Sequence, residues 1–532
     1  MTIYRSPVPD IEIPDVTLTE YVLSGARERG DKVAFADAIT GEQLTFREIA
    51  DGVDAAAGSL VARFGTSPGQ VVGLVSHNQP RYALALHAAL AAGATVTPMN
   101  PVLTVDELGK QLRMARADLV VASEEAADKA AQAADLAGVA AERRIVIGVA
   151  EGFTPLAELT SSGEPAPGVR IDPHTSIATL PFSSGTTGQA KGVMLTHRNL
   201  VASVVQNLVG WQVDEDDVLA GVLPFFHAYG FVLILNTGLR TGATTVTLPR
   251  YGLEAYLRMV ADHRVTRAFM APPQVLQLAT AAEVDRYDLS SLEYGVCGAA
   301  PLDVDVTARA EKRLGCLIRQ GYGMTEAGPG INQTADAEFA ATPAGSVGRL
   351  LANTEARVVN PGTGADCADG DPGELWVRGP QVMAGYLGDP EATAKTIVDG
   401  GWLRTGDIVR FDPDGVMWVV DRLKELIKYK GYQVAPAELE ALLLTHPDIL
   451  DAAVVGVPHA TGGEAPKAFV VTRAAVDSDG LMAWVAERVA PYKKVRAVEF
   501  VVEIPKSPSG KILRRLLKTE DTDQVPPPAV TG

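Results

Sequence analysis

The chain has 532 residues, of which 47% are hydrophobic and 21% charged. That is the balance of a soluble globular protein, and more chain than one simple core needs, so two or more domains are expected. A formal net charge of −18 repels a phosphate backbone, which argues against nucleic acid as a partner and requires a local basic site for any anionic ligand.

Three cysteines, Cys297, Cys316 and Cys367, stand without CxxC spacing. They give no disulfide framework and no metal cluster, and a reducing compartment is expected. The opening MTIYRSPVPDIEIPD is acidic and Pro-rich. It lacks the basic-then-apolar order of a signal peptide, so a cytoplasmic protein is expected.

From about residue 45 to 350, apolar runs of strand length alternate with Ala-rich amphipathic stretches. VVGLVSH (71–77) precedes PRYALALHAALAAG (80–93) and TVTPMN (95–100). LEYGVCGAA (292–300) precedes a helical TARAEKRLG (307–315), and CLIRQGYG (316–323) follows. This alternation predicts α/β layers with partly parallel sheets. The apolar run 218–239 is long enough to span a bilayer. It carries Pro224, His227, Tyr229 and Asn236, which fit a buried strand, loop and helix better. After about residue 345 the texture becomes strands and hairpins, with an Asp-Gly turn signal in FDPDGV. Beyond DRLKEL (421–426) a compact α+β domain is expected, with PAELEALLL (436–444) as a helix opened by Pro436. The polar, Pro-rich tail 518–532 is expected to be disordered.

The sharpest chemical signal is Ser183-Ser184-Gly185-Thr186-Thr187-Gly188-Gln189-Ala190-Lys191-Gly192. Small residues let backbone N–H groups approach a phosphate, the hydroxyls add donors, and Lys191 adds charge. Ala190-Lys191-Gly192 stands where a Walker loop would need Gly-Lys-Ser/Thr. A flexible surface linker would not sit between the apolar strand IATLPF and MLTHRNLVASVVQNL, which reads as a helix.

This string resembles the phosphate-binding loop of the acyl-adenylate-forming superfamily: acyl- and aryl-CoA synthetases, nonribosomal adenylation domains and luciferases. Further motifs of that superfamily follow in order: LPFFHAYG (223–230), CGAAPL (297–302), QGYGMTE (320–326), GELWVRGPQVMAGYL (373–387), GWLRTGD (401–407), DRLKELIKYKGYQVAP (421–436) and PKSPSGKILRR (505–515). They are most similar to bacterial 4-coumarate–CoA ligase-like enzymes. The resemblance implies an α/β fold. A large adenylating domain (1–422) would have two αβ-layered sheets and a β-rich subdomain. A small mobile α+β domain (423–517) would follow it.

It also implies roles. ATP would meet Ser183, Ser184, Gly185, Thr186, Thr187 and Lys191 in the loop. It would also meet Gln320, Gly321, Tyr322, Gly323, Met324 and Thr325, with Tyr322 stacked on adenine and Thr325 at the α-phosphate. Asp407 and Arg422 would hold the ribose, and Glu326 with Thr186 a magnesium ion. His227 would orient the acyl carboxylate, although a histidine in an apolar stretch is more often a core residue. Lys511 would stabilise the charge built up as a carboxylate attacks phosphorus. Arg514 and Arg515 beside it otherwise suggest a solvated basic tail. Lys428 and Gln433 mark the loop expected to replace Lys511 after rotation about Lys424. Lys430 and Gly431 would line the pantetheine path, and Arg250 would meet the phosphates of coenzyme A. Phe226, Tyr229, Leu233, Gly298, Ala299, Ala300, Gly321, Ala327 and Gly328 would wall the acid pocket.

The implied reaction makes an acyl-adenylate from ATP and a carboxylic acid, then a thioester with coenzyme A. Small residues at 298–300 suit a flat aromatic acid such as a cinnamate or benzoate; a medium-chain fatty acid also fits. A carrier-protein thiol as acceptor, an oxidative luciferase-like step, an ATP-dependent diazotase using nitrite and an aryl amine, and a noncatalytic nucleotide binder are the alternatives. The sequence is silent on oligomeric state.

Overall fold

A computed structural model describes residues 2–183, 190–423, 425–429, 432–459, 464–507 and 510–519. Three large sheets carry the chain as far as Arg422. A nine-stranded sheet has the order Phe182–Ser183, Lys191–Thr196, Ile177–Thr179, Thr95–Met99, Val71–Val75, Leu119–Ser123, Arg144–Ile147, Thr154–Pro155, with Gly385–Tyr386 beside Lys191–Thr196. Its strands from Thr95–Met99 to Thr154–Pro155 are parallel. A seven-stranded sheet runs Leu317–Gln320, Tyr294–Cys297, Arg267–Met270, Val218–Gly221, Thr244–Thr247, Val33–Asp37, Gln43–Thr45, antiparallel only at the last pair. The third sheet is six-stranded and antiparallel. It ends on the hairpin Trp402–Phe411 and Met417–Arg422 expected from FDPDGV.

Local chemistry explains many boundaries. Thr45 and Glu48 form a capping box for the helix Phe46–Phe64, and Thr104 and Glu107 another for Val105–Ala115. Pro80 opens the largely apolar helix Pro80–Ala91, where its missing N–H costs nothing.

Two expectations change. The helix expected at 307 begins earlier, as Val304–Leu314. Asp303 caps it, its carboxylate accepting from the N–H groups of Asp305 and Val306, each at 2.9 Å. The stretch MLTHRNLVASVVQNL is not all helix: Met194–Thr196 finish the strand Lys191–Thr196, and the helix is His197–Gly210. The alternating KGVMLT pairs on both edges, and Thr196 with Asn199 supplies the capping box that ends the strand and starts the helix. The phosphate-loop string therefore joins two antiparallel strands, with Ser183 opposite Lys191.

One large apolar core joins the nine-stranded and antiparallel sheets, and a second lies against the seven-stranded sheet. A third, from Ile427 to Val495, belongs to the C-terminal part alone. There Pro436–Leu444 packs Leu439 and Leu443 against the strands Ile449–Pro458 and Glu464–Thr472. The helix Arg514–Thr519 runs through the first two residues of the tail expected to be disordered; 520–532 lie outside the described residues. No described helix is long and apolar enough to cross a membrane.

Candidate active site

In a parallel sheet ligands collect beyond the carboxyl ends of the strands. The edge strand of the seven-stranded sheet and its neighbour end there with the expected motifs. Tyr294–Cys297 runs into Gly298-Ala299-Ala300, and Leu317–Gln320 into Gly321-Tyr322-Gly323. The two turns are tied together. Gly321 N–H donates to the Cys297 carbonyl at 2.9 Å, and the Gln320 side chain accepts from Leu302 N–H at 2.8 Å. Gln320 thus shapes the 299–302 turn with its amide.

A cavity of about 260 Å³ opens over these turns, lined by Ala299, Ala300, Gly321, Tyr322, Asp407 and Lys511 among others. Asp407 is buried on the strand Trp402–Phe411. Its carboxylate accepts from the Tyr322 hydroxyl at 2.6 Å and faces Arg422 Nε at 3.2 Å, the residue opposite it in the ladder. Burial pushes the Asp407 carboxyl up, and Arg422, Tyr322 and Lys511 oppose that shift. Burial and the Asp407 carboxylate hold the Tyr322 phenol well above its ordinary value, so it remains a donor.

Lys511 arrives from the C-terminal part. Its backbone is closed into a tight loop: Ser507 N–H donates to the Lys511 carbonyl at 2.8 Å, and Lys511 N–H to Ser507 Oγ at 3.1 Å. Gly510 has φ +81°, and a Cβ there would stand 3.0 Å from Pro273 Cδ and 3.1 Å from Ala271 Cβ. Only glycine seats this loop on the helix Pro272–Thr280 without strain. Burial, aided by Arg422, lowers the Lys511 ammonium to about 8; Glu425 and Asp407 oppose the shift. Arg514 is no part of a solvated tail. It pairs with Glu425 and with both oxygens of Glu440, the latter at 2.8 and 2.6 Å.

A second corner surrounds Glu326, which is buried. Its Oε1 accepts from the Ser183 hydroxyl at 3.0 Å and the Tyr386 hydroxyl at 2.9 Å. Lys191 Nζ lies 4.9 Å from the centroid of the Tyr386 ring, within cation–π range.

The model of the family described as AMP-binding enzyme matches residues 24–387, and that of the AMP-binding enzyme C-terminal domain matches 438–511. The chain belongs to the AMP-binding enzyme family. It is 40% identical over 536 residues to 4-coumarate–CoA ligase 5 of Oryza sativa subsp. japonica, covering 98% of each chain. Among solved structures, a benzoate CoA ligase from Burkholderia xenovorans LB400 is similar at TM-score 0.84 and 27% identity, over 94% of this chain and 100% of that one. An amide bond synthetase, McbA from Marinactinospora thermotolerans, is similar at TM-score 0.84 and 30% identity, over 94% and 99%.

The other residues expected from the family motifs fall into three groups. Some lie on the 226–236 segment and the turn that begins at Gly298. His227 ends the loop after Val218–Gly221, next to Phe226, and its Nδ1 accepts from Tyr229 N–H at 3.2 Å. Burial lowers the imidazole to about 4, so near neutrality the ring is uncharged and carries its proton on Nε2. Tyr229 donates its hydroxyl to the Val296 carbonyl at 3.2 Å. A Cβ on Gly298 would meet its ring at 2.9 Å, so glycine is needed for this contact. Leu233 lies in the π-helix Phe231–Asn236, a widened turn that is common at functional sites.

A second group sits apart from the cavity. Ala327 is in the large core, and Gly328 backs onto Gln381 and Asn199 behind Glu326. Met324 and Thr325 lead from Gly323 into that turn. Arg250 is exposed, with Nη2 3.2 Å from His77 Nε2. Lys428 and Gln433 are cross-strand partners in a two-stranded ribbon. The third group, Ser184, Gly185, Thr186, Thr187, Lys424, Lys430 and Gly431, lies outside the described residues.

The residues fit a magnesium ion. Among the described residues no three His, Cys, Asp or Glu side chains converge, so a cation at Glu326 would be shared with substrate oxygens. Mg²⁺ favours that mode: one or two carboxylates plus phosphates. Sequence reasoning missed Tyr386 and the Arg514–Glu440 pair. Tyr386 lay inside a quoted motif, but no spacing signals contacts 60 and 74 residues apart.

Proposed function

We propose that the protein is an AMP-forming acid–thiol ligase that activates an aromatic carboxylic acid with ATP and transfers the acyl group to coenzyme A. The observation that carries this reading is the seating of Lys511 over the cavity that also holds Asp407 and Tyr322. That arrangement supports a reading in which the half-buried Lys511 ammonium meets the carboxylate and the α-phosphate of ATP as they join.

In the first half-reaction a carboxylate oxygen of the acid bonds to the α-phosphorus and the bond to pyrophosphate breaks. Tyr322 and the Gly321–Thr325 turn hold the adenosine and α-phosphate, and Asp407 with Arg422 takes the ribose hydroxyls. The phosphate loop from Ser183 to Lys191 embraces the β- and γ-phosphates. The Lys511 ammonium opposes the charge that grows on the phosphoryl oxygens. His227, neutral with its proton on Nε2, donates that proton as a hydrogen bond to the acid carboxylate. Glu326 and Thr186 would hold a magnesium ion, which when bound would supply positive charge against the departing pyrophosphate.

In the second half-reaction the thiol of coenzyme A adds to the acyl carbon and AMP leaves. The boundary near Lys424 serves as the hinge. The ribbon carrying Lys428 and Gln433 takes the place of Lys511, Lys430 and Gly431 line the pantetheine path, and Arg250 meets the coenzyme phosphates. An acid pocket walled by Tyr229, Phe226, Leu233 and the small 298–300 turn would be flat and apolar, which supports a cinnamate- or benzoate-like substrate. The two aromatic-acid ligases among the similar proteins point the same way. The reaction needs no protein nucleophile. Cys297 is fully buried, and burial pushes its thiol up.

Acid-dependent exchange of labelled pyrophosphate into ATP, run over a panel of cinnamates, benzoates and medium-chain acids, tests this reading. Exchange with an aromatic acid supports it. Exchange confined to aliphatic acids removes the substrate class, and no exchange with any acid removes the first half-reaction.

A further inference from the structure

Tyr386 belongs to the GELWVRGPQVMAGYL stretch, whose role no other part of the site accounts for. It lies in the strand Gly385–Tyr386, joined to Lys191–Thr196 in the register Val193↔Tyr386 and Met194↔Gly385. Leu387 N–H donates to the Gly192 carbonyl at 2.8 Å, and Ala384 N–H to the Met194 carbonyl at 2.9 Å. Tyr386 N–H donates to Thr393 Oγ1 at 2.9 Å. Its backbone is therefore fixed on both sides.

From that mount the side chain reaches two functional groups. Its hydroxyl donates to Glu326 Oε1 at 2.9 Å, and its ring lies 4.9 Å from Lys191 Nζ. The same short stretch also holds the backbone of Glu326, since Met383 N–H donates to the Glu326 carbonyl at 2.9 Å. Ser183 adds a second donor to Oε1 at 3.0 Å, and among the described residues no donor reaches Oε2. A carboxylate held through one oxygen keeps the other for a cation. A lysine over an aromatic face is steadied without losing charge to a carboxylate partner.

We propose that Tyr386 is a positioning residue for the metal–phosphate corner: its hydroxyl orients the Glu326 carboxylate toward a divalent cation, and its ring aims Lys191 at the phosphates that cation binds. This rests on the proposed ligase reading for the identity of the ligand, Mg·ATP. Outer-sphere hydrogen bonds of this kind hold metal-binding carboxylates in place, and losing one costs about 10- to 100-fold in metal affinity.

The test is Mn²⁺ binding to the full-length enzyme with ATP present, followed by electron paramagnetic resonance, for wild type, Tyr386→Phe, Ser183→Ala and Glu326→Gln. Thermal melts check that each variant is folded. Tyr386→Phe keeps the ring and removes only the hydroxyl; it is expected to weaken Mn²⁺ binding about tenfold. Ser183→Ala should weaken it by a similar factor. The Mg²⁺ concentration for half-maximal pyrophosphate exchange should rise in step, with KM for the acid unchanged. Wild-type Mn²⁺ affinity in Tyr386→Phe, with Glu326→Gln weakened, overturns the positioning role and leaves the ligase reading standing. If Tyr386→Phe does not fold, unchanged binding in Ser183→Ala overturns the orientation of Glu326 through Oε1. Failure of the wild type to bind Mn²⁺ with ATP overturns both readings.

Discussion

The two corners of the site are built in opposite ways. The Glu326 corner is assembled within the large sheets: Ser183, Lys191 and Tyr386 stand on hydrogen-bonded strands of one sheet, and Glu326 is tied to them by side chain and backbone. The Lys511 corner is assembled by docking. Asp407 and Arg422 are adjacent in a ladder, but Lys511 reaches them on a loop that rests through Gly510 against Ala271 and Pro273. The loop's firm anchors, Arg514 to Glu425 and Glu440, lie on its own side of position 424. A corner fixed by strands suits groups that hold ATP from the outset. A corner made by docking can be withdrawn once the first bond is made, which a two-step transfer requires.

Separating the half-reactions should break this symmetry most sharply. Lys511→Ala should slow acyl-adenylate formation by about 10²- to 10³-fold, the scale of losing one transition-state donor. Thioester formation from supplied acyl-adenylate should stay near the wild-type rate. Equal losses in both halves would show that Lys511 is not confined to the first.

Gly510→Ala keeps the lysine and disturbs only its seat. An added Cβ meets Pro273 and Ala271, and a misplacement of this size should cost adenylation at least about tenfold in single-turnover measurements. Melting temperature should fall by no more than a few degrees, from the strain of an alanine at φ +81°.

The pH profile sharpens the same contrast. Burial and Arg422 bring the Lys511 ammonium down to about 8, so its charge is lost as pH rises through that value. Adenylation should fall about tenfold per unit above it. Thioester formation from supplied adenylate should lack this limb, as should the residual adenylation of Lys511→Ala. The smallest effect belongs to the acid pocket. Gly298→Ala pushes a methyl against the Tyr229 ring and should raise KM for the acid several-fold with KM for ATP unchanged, read by steady-state kinetics.

Much of this was legible in the chain. Periodicity gave Val71–Val75, Pro80–Ala91 and Thr95–Met99, because strands buried on both faces and a helix opened by proline each leave a local signature. The ordered motifs pointed to Asp407, Tyr322 and Lys511, which the fold does bring to one cavity. What stayed hidden depends on distant approach. Met194-Leu195-Thr196 read as the start of a helix because the partners of their strand, Ile177–Thr179 and Gly385–Tyr386, are not its neighbours in sequence. Arg514 looked like part of a basic tail because its carboxylate partners precede it by 74 and 89 residues. Tyr386 carried no signal beyond membership of a motif, since a tyrosine beside a glycine is ordinary until the Glu326 carboxylate appears next to its hydroxyl.

The account's central claim is the identity of the acceptor. One measurement tests it most directly. The enzyme is given Mg·ATP and an aromatic acid that supports pyrophosphate exchange, with coenzyme A or an aryl amine, and products are followed by mass. The account predicts an acyl-CoA thioester and AMP in equal amounts, formed only when acid and coenzyme A are both present. An amide formed with the amine, or ATP consumed by nitrite and the amine, with no thioester in either case, would contradict it.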